Sequence, residues 1–327
     1  TKEIGLETKL FNNRAGFDVT LYDRKTSDDI VQTAIPITSG YSYARLNAGE
    51  LQNKGIEVLV SGVPVKTRNL SWDVSYNMAY NESKVLKLTS GLNTIQMASS
   101  VGGWAGIYNE VGRPYGIIKG YRMVKDASGN RVYASSGYEK RSDLVELGQG
   151  VAPLSMGLTN TFTYKRYSLN ILIDGKFGNK VFSVMNTYAN RFGLLKSTLE
   201  GRGDAGLTLK GVDEAGNAYQ RNISYTTDAF RLYYDNQKNY SELFTYDGGF
   251  VKLRQIIFSY DIPTDVISFL KVKSASISFV ARNVAILYKN TEGFDPEVII
   301  TNGNAQGFES FALPRTRNLG FNLLVKF

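Results

Sequence analysis

The sequence predicts an all-β chain: the C-terminal part of a large antiparallel transmembrane β-barrel, about nine strands long, with long extracellular loops and short periplasmic turns. Three observations carry this reading. At residues 317–327, Leu319, Phe321, Leu323, Val325 and Phe327 hold the odd positions, with Asn318, Gly320, Asn322, Leu324 and Lys326 between them. A period of two separates the faces of a strand, and a closing strand with lipid on one side has this pattern. Leu70, Trp72, Val74, Tyr76, Met78 and Tyr80 form a second stripe, opposed by Ser71, Asp73, Ser75, Asn77 and Asn81. That is longer than an ordinary strand of ~5–6 residues and matches the ~9–11 a membrane strand needs. Third, the connections alternate strictly between short and long.

In chain order, Ile4, Leu6, Thr8 and Leu10 alternate with Glu3, Gly5, Glu7 and Lys9, and Asn12-Asn13-Arg14 supply a turn. Phe17, Val19 and Leu21 form the returning strand, and a polar stretch over about 26–51 follows. Ile56, Val58 and Val60 then lead through 65–69 into the long stripe. Periodicity dissolves over about 86–153. Leu154, Met156, Leu158, Phe162 and Tyr164 turn at Lys165-Arg166 into Tyr167, Leu169, Ile171, Ile173 and Phe177. Tyr164 and Tyr167 flank that turn, as an aromatic girdle or as a cross-strand pair. The segment 178–248 is again polar, with weak helical spacing over 188–199. Ile256, Phe258, Tyr260 and Ile262 end at Pro263; Ile277, Phe279 and Ala281 follow, and a loop over about 288–314 leads to the last strand.

Short connections fall near 12–15, 64–69, 165–166 and 263–271, and long ones near 27–51, 87–153, 178–248 and 288–314. Sorting loops by length onto two rims is the outer-membrane barrel layout, and a soluble sandwich has no reason for it. Nine strands is an odd count and an open sheet would leave two edges in lipid, so further strands are expected upstream of Thr1. No run approaches the ~18 apolar residues of a membrane helix, and no signal peptide is read at the start. The sequence reads as a processed product or a piece of something longer.

Composition excludes whole classes of chemistry. The 327 residues contain no Cys and no His. Disulfides, thiolate metal sites, Ser-His-Asp and Cys-His catalysis and most zinc sites are therefore out. The net charge is 38 − 30 = +8, but the basic residues are scattered and nucleic acid is not an expected partner. Asp126-Ala127-Ser128-Gly129-Asn130 and Asp213-Glu214-Ala215-Gly216-Asn217 carry good turn chemistry. Calcium is conceivable there, but the ~6–8 oxygens it needs are not evident, so no cofactor, metal site or catalytic set is expected.

Several segments resemble the C-terminal region of SusC/RagA-type TonB-dependent transporters of the Bacteroidetes outer membrane. They include Lys2-Glu3-Ile4-Gly5-Leu6-Glu7, Phe17-Asp18-Val19-Thr20-Leu21-Tyr22, Asn53-Lys54-Gly55-Ile56-Glu57 and Gly157-Leu158-Thr159-Asn160-Thr161-Phe162 with Asp174-Gly175-Lys176-Phe177-Gly178. The strongest are Phe250-Val251-Lys252-Leu253-Arg254 through Ser259-Tyr260-Asp261-Ile262-Pro263, Ala281-Arg282-Asn283-Val284, Gly293-Phe294-Asp295-Pro296-Glu297 and Pro314-Arg315-Thr316-Arg317. The resemblance implies a 22-stranded barrel with an N-terminal plug and a TonB box, neither of which this chain contains. It also implies a SusD-like lipoprotein lid, TonB-ExbB-ExbD acting through the missing plug, and import of oligomeric glycans or peptides.

Under that reading Asp73, Ser75, Asn77, Thr159, Thr161, Asn170 and Asp174 face the lumen, and Trp72, Tyr76, Ile171, Ile173, Phe321 and Val325 face lipid. The loop aromatics Tyr41, Tyr43, Trp104, Tyr108, Tyr115, Tyr233 and Tyr234, with Tyr188, Tyr240 and Tyr246, are candidates for ligand or lid contact, or else they pack the loops onto themselves. Phe321, Leu323, Val325 and Phe327 form the expected barrel-assembly signal. Asp295-Pro296-Glu297 has no catalytic partner in the sequence. The competing reading is a non-transporting β-rich surface adhesin or glycan-binding protein.

Overall fold

The computed structural model describes residues 1–327 apart from 28–29, 35–36, 42, 48, 90, 204, 271, 299–302 and 304; at 30–34, 37, 43–47 and 270 only the backbone is described. Nine long strands form one antiparallel sheet in chain order. They are β1 (Lys2–Leu10), β2 (Ala15–Ser27), β3 (Glu50–Lys66), β4 (Leu70–Lys87), β5 (Leu154–Tyr164), β6 (Tyr167–Phe177), β7 (Phe250–Ile262), β8 (Ser274–Lys289) and β9 (Asn318–Lys326). β1 and β9 are the two edges, and the barrel is not closed within this chain.

Register makes the two faces continuous. Facing residues of an antiparallel pair share a side of the sheet. One such row runs Val19, Val58, Met78 and Met156, and another Tyr76, Leu158, Ile173 and Leu253. Beside β9, Phe279 stands opposite Phe321, with ring centroids 5.5 Å apart. The outcome is an apolar belt across all nine strands, with Ile4, Leu6, Phe258, Phe321 and Leu323 exposed on it. Trp72 stacks on Phe162 at 5.7 Å. Its indole N–H donates to Asn160 Oδ1 at 3.1 Å, which pairs two polar groups within the belt. Tyr164, Tyr167 and Tyr260 stand in one row at the turn rim, and Phe177 meets Tyr288 toward the loop rim.

The short turns close as the sequence predicts. Between β1 and β2, Phe11, Asn12 and Asn13 all have left-handed φ of 53–65°, a conformation that Asn tolerates better than most residues. Strands β7 and β8 are longer than their stripes suggest, because bulges between them break the period-two alternation.

The two buried hydrophobic clusters lie almost wholly outside the nine-stranded sheet, Val85 of β4 being the sheet residue that takes part. The largest fully buried side chains include Tyr133, Tyr240, Phe182, Phe308, Ile107 and Ile118, all from the long connections. One cluster gathers Ile95, Ile107 and Ile118 from the β4–β5 connection, Phe182, Val184 and Phe244 from β6–β7, and Phe308 from β8–β9. A second joins Tyr133 to Leu207, Leu209, Ile223, Phe230, Tyr233 and Tyr234. Small sheets organise these clusters, including a four-stranded one over Thr94–Ser99, Gly106–Glu110, Ile117–Gly120 and Val145–Gln149. The loops therefore form a folded cap. The helix expected over 188–199 sits earlier, as α1 (Val184–Arg191), because Ser183 caps it by accepting from the Asn186 N–H at 3.0 Å. A second helix, α2 (Asp228–Asn236), buries Phe230, Tyr233 and Tyr234.

Candidate functional site

The densest chemistry is on the polar face, where the cap meets the wall. Asp174 on β6 stands directly opposite Lys252 on β7. Between them and the turn rim, β7 carries a bulge: Leu253 pairs with Ile173 and Gln255 with Leu172, leaving Arg254 as an extra residue. The bulge lets consecutive residues Arg254 and Gln255 both serve the polar side while Leu253 and Ile256 stay in belt rows. On the β8 side Arg282 pairs with Gln255 and Ala285 with Leu253, so Asn283 and Val284 fill the matching irregularity, with Asn283 at φ 51°.

The resulting geometry is a closed ion network. Arg254 holds Asp174 through two bonds, Nε to Oδ1 at 2.9 Å and Nη2 to Oδ2 at 2.6 Å. It also holds Glu297 through two, Nη1 to Oε2 at 2.9 Å and Nη2 to Oε1 at 3.0 Å. Lys252 donates to Asp295 Oδ1 and to Glu297 Oε2, both at 2.6 Å. Asn283 Oδ1 accepts from Arg254 at 3.2 Å, and Arg315 approaches Glu297 at 3.9 Å. Lys252 is 3% exposed and Asp295 8%, so neither charge is stable there alone. Burial pushes the Glu297 carboxyl up, but hydrogen bonds and charge from Arg254 and Lys252 outweigh it and hold it down at about 2. A cavity of about 440 Å³ opens beside Lys252, Asn283, Asp295 and Arg315. The motif Asp295-Pro296-Glu297 therefore ties the β8–β9 connection to the wall, using Lys252 and Arg254, which sequence reasoning did not single out as a site. Their spacing of two on a strand, and two carboxylates at the same spacing downstream, was the available signal.

The other site candidates separate cleanly. Asp73, Ser75, Asn77, Thr159, Thr161, Asn170 and Asp174 all share the face opposite the belt, in rows such as Asp73–Thr161–Asn170. Asn170 Nδ2 donates to Thr161 at 2.9 Å and its Oδ1 accepts from Gln255 at 3.3 Å. Among the loop aromatics, Tyr41 is 72% exposed and the side chain of Tyr43 lies outside the described residues. Trp104, half-buried, packs edge-on to Tyr188 at 5.2 Å. Tyr108 and Tyr115 are half-buried. Tyr233, Tyr234 and Tyr240 are buried. With Tyr133 and Tyr246, Tyr233 and Tyr234 line a cavity of about 630 Å³ between the loops.

Behind that cavity the buried Glu139 accepts from Arg131 at 3.2 Å and from the Tyr233 hydroxyl at 2.9 Å, while the Tyr240 hydroxyl donates to its backbone oxygen at 2.5 Å. Burial first, and then the Glu139 charge, pushes Tyr233 up and Tyr240 to about 12. Asp126 and Asp213 each accept from two backbone N–H groups of their own turns, and both Asn side chains return to them. These carboxylates are occupied by turn chemistry.

No family model matches the chain. Its sequence is 26% identical over 352 residues to the TonB-dependent receptor P26 of Formosa agariphila, covering 98% of this chain and 34% of that protein. It is 24% identical over 353 residues to the TonB-dependent receptor SusC of Bacteroides thetaiotaomicron, covering the whole chain and 32% of SusC. The chain is similar to SusC along its whole length. What it matches is the C-terminal part of these receptors, and it spans about a third of their length. The fold agrees with a solved structure of the RagAB peptide transporter at a TM-score of 0.70 and 17% identity, over 99% of this chain and 35% of that one. The "open-open" state of the RagAB peptide importer gives 0.69.

Proposed function

We propose that this chain forms the C-terminal wall and loop cap of a SusC-like channel that imports oligomeric nutrients, glycan oligosaccharides or peptides, across the outer membrane. The observation that carries the reading is the continuous pairing of nine strands, whose bulges keep the two faces in phase: a belt fit for lipid on one face, a hydrogen-bonded polar lining on the other, and a folded cap on one rim only. In this reading the remaining strands, the plug and its TonB box belong to the rest of the protein. TonB-ExbB-ExbD acts through that plug, and a SusD-like lipoprotein covers the cap. Asp73, Ser75, Asn77, Thr159, Thr161, Asn170 and Asp174 line the lumen, where they contact the plug or passing substrate. Tyr41, Trp104, Tyr108 and Tyr115, which keep exposed area, supply flat apolar faces suited to sugar rings or to a partner protein, whereas the buried Tyr233, Tyr234 and Tyr240 pack the cap onto itself. Phe321, Leu323, Val325 and Phe327 serve as the barrel-assembly signal. The role is passage and not catalysis; the relatives named are receptors and transporters.

The deciding experiment is the intact mass of the detergent-extracted native complex with whatever remains bound. The 36.3 kDa chain spans about a third of its relatives, so a protein roughly three times that mass, carrying a lipoprotein, is expected. A lone species of the chain's own mass, stable without detergent, would overturn the channel in favour of a surface adhesin.

A further inference from the structure

The outward face of β1–β4 changes character abruptly toward the loop rim. Ile4, Leu21, Ile56 and Tyr80 stand in register as the last apolar row. The next outward row is Lys2, Asp23, Lys54 and Glu82, and the one after it holds Lys25, Gln52 and Lys84. Four lysines face two acids, 4 − 2 = +2, and all four lysines are exposed. Asp23 is already engaged, accepting from Gln52 at 2.6 Å with Lys54 at 3.7 Å. At the turn rim the outward positions of the same strands are Leu10, Ala15, Gly62 and Leu70, so the basic strip belongs to one rim alone.

Depth decides what such a strip can meet. Successive outward rows are two residues apart, ~7 Å along a strand, or roughly 5 Å of height at a tilt of ~40°. The two lysine rows thus sit roughly 5 and 10 Å beyond the apolar belt, where the headgroup zone begins and extends for about 5–8 Å. Flexible lysine stems bridge the remaining difference. We propose that the Lys2, Lys25, Lys54 and Lys84 strip is a docking surface for the phosphate headgroups of lipids in the loop-side leaflet, anchoring this sector of the wall. It is continuous with the apolar belt, so the acyl chains of the same lipid lie against Leu21, Ile56 and Tyr80 while its phosphates meet the ammonium groups. The proposal requires the belt to face lipid and is independent of what the channel carries.

The test uses the complete protein reconstituted in phosphatidylcholine nanodiscs containing lipid A, in phosphorylated or dephosphorylated form, with retained lipid counted by native mass spectrometry. The wild type is expected to retain the phosphorylated form preferentially. The triple variant K25Q/K54Q/K84Q is expected to hold it on the order of 100-fold more weakly, at about a factor of five per lysine. Because that variant could assemble poorly, D23N/E82Q provides the opposite arm: removing the acids should raise retention. Equal retention by all three proteins, equal binding of dephosphorylated lipid A, or complete displacement by millimolar inorganic phosphate would each overturn the lipid surface. Loss of import with lipid retention intact would count against the channel reading and leave this one standing.

Discussion

The ammonium of Lys252 lies 2.6 Å from the Asp295 carboxylate, 43 positions further along the chain, with both groups almost wholly out of water. One belongs to a wall strand and the other to the connection that leads into β9. Their pairing, with Arg254, Asp174 and Glu297 completing it, fixes where that connection lies. The energy scale is large because removing one partner strands the other's charge.

Lys252→Met should therefore be far more damaging than its apolar replacement suggests. Two buried carboxylates lose a shared cation, at a cost of ~3–5 kcal/mol. Limited proteolysis of the detergent-solubilised protein should show new cleavage within 290–317 while the barrel strands stay resistant. Adding Asp295→Asn and Glu297→Gln should recover much of the protection. Unchanged cleavage in the single variant would mean the network does not hold the connection.

The same network should weaken in acid. The Glu297 carboxyl is depressed from 4.5 to about 2, so its contribution is fully present above pH 4.5 and disappears as the pH falls toward 2. The shift corresponds to about 3 kcal/mol of pH-dependent stability. The protection of 290–298, measured as exchange relative to the intrinsic rate at each pH, should fall across that window in the wild type. In Glu297→Gln the protection should be lower throughout and its acid dependence shallower.

Phe308 tests whether the cap is a folded unit. It is fully buried, packs edge-on against Phe182 at 6.1 Å, and draws the β8–β9 connection into the main loop cluster. Phe308→Ala should cost ~3–5 kcal/mol. Exchange protection should fall at Ile107, Ile118 and Phe182, while heat-modifiable migration of the barrel persists. Loss of both together would show that cap and wall fold as one.

Neighbouring positions on β9 should respond oppositely to charge. Phe321 is in the belt against Phe279, and Asn322 is on the other face opposite Ser278. Phe321→Arg should cost ~2–4 kcal/mol near the membrane midplane and reduce assembled barrel in outer-membrane fractions. Asn322→Arg should assemble normally. Equal assembly of the two would contradict the assigned faces.

Much of the wall was legible because a strand with unlike solvents on its two sides must alternate. Trp72 to Tyr80 displays that rule without interruption, and register carries it to Leu158 and Ile173. The stripe in β7 was legible only from Ile256 onward. The bulge at Arg254 shifts the alternation by one residue, and a period-two reading stops where the phase breaks. The cap was illegible for a different reason. Its core is assembled from short segments such as Ile117–Gly120 and Phe308–Glu309, each too brief to establish a period.

The sequence alone determined the strands, their faces, the sorting of long and short connections, and the exclusion of imidazole and thiol chemistry. Local covalent geometry and the two solvents impose these, and they repeat every second residue. Only the tertiary structure decided that Asp295 and Glu297 meet Lys252 and Arg254, that Glu139 underlies Tyr233, and that four lysines from four strands form one strip. Each depends on the register between segments far apart in the chain. A charge reveals its partner only once hydrogen-bonded pairing has set which residues stand side by side.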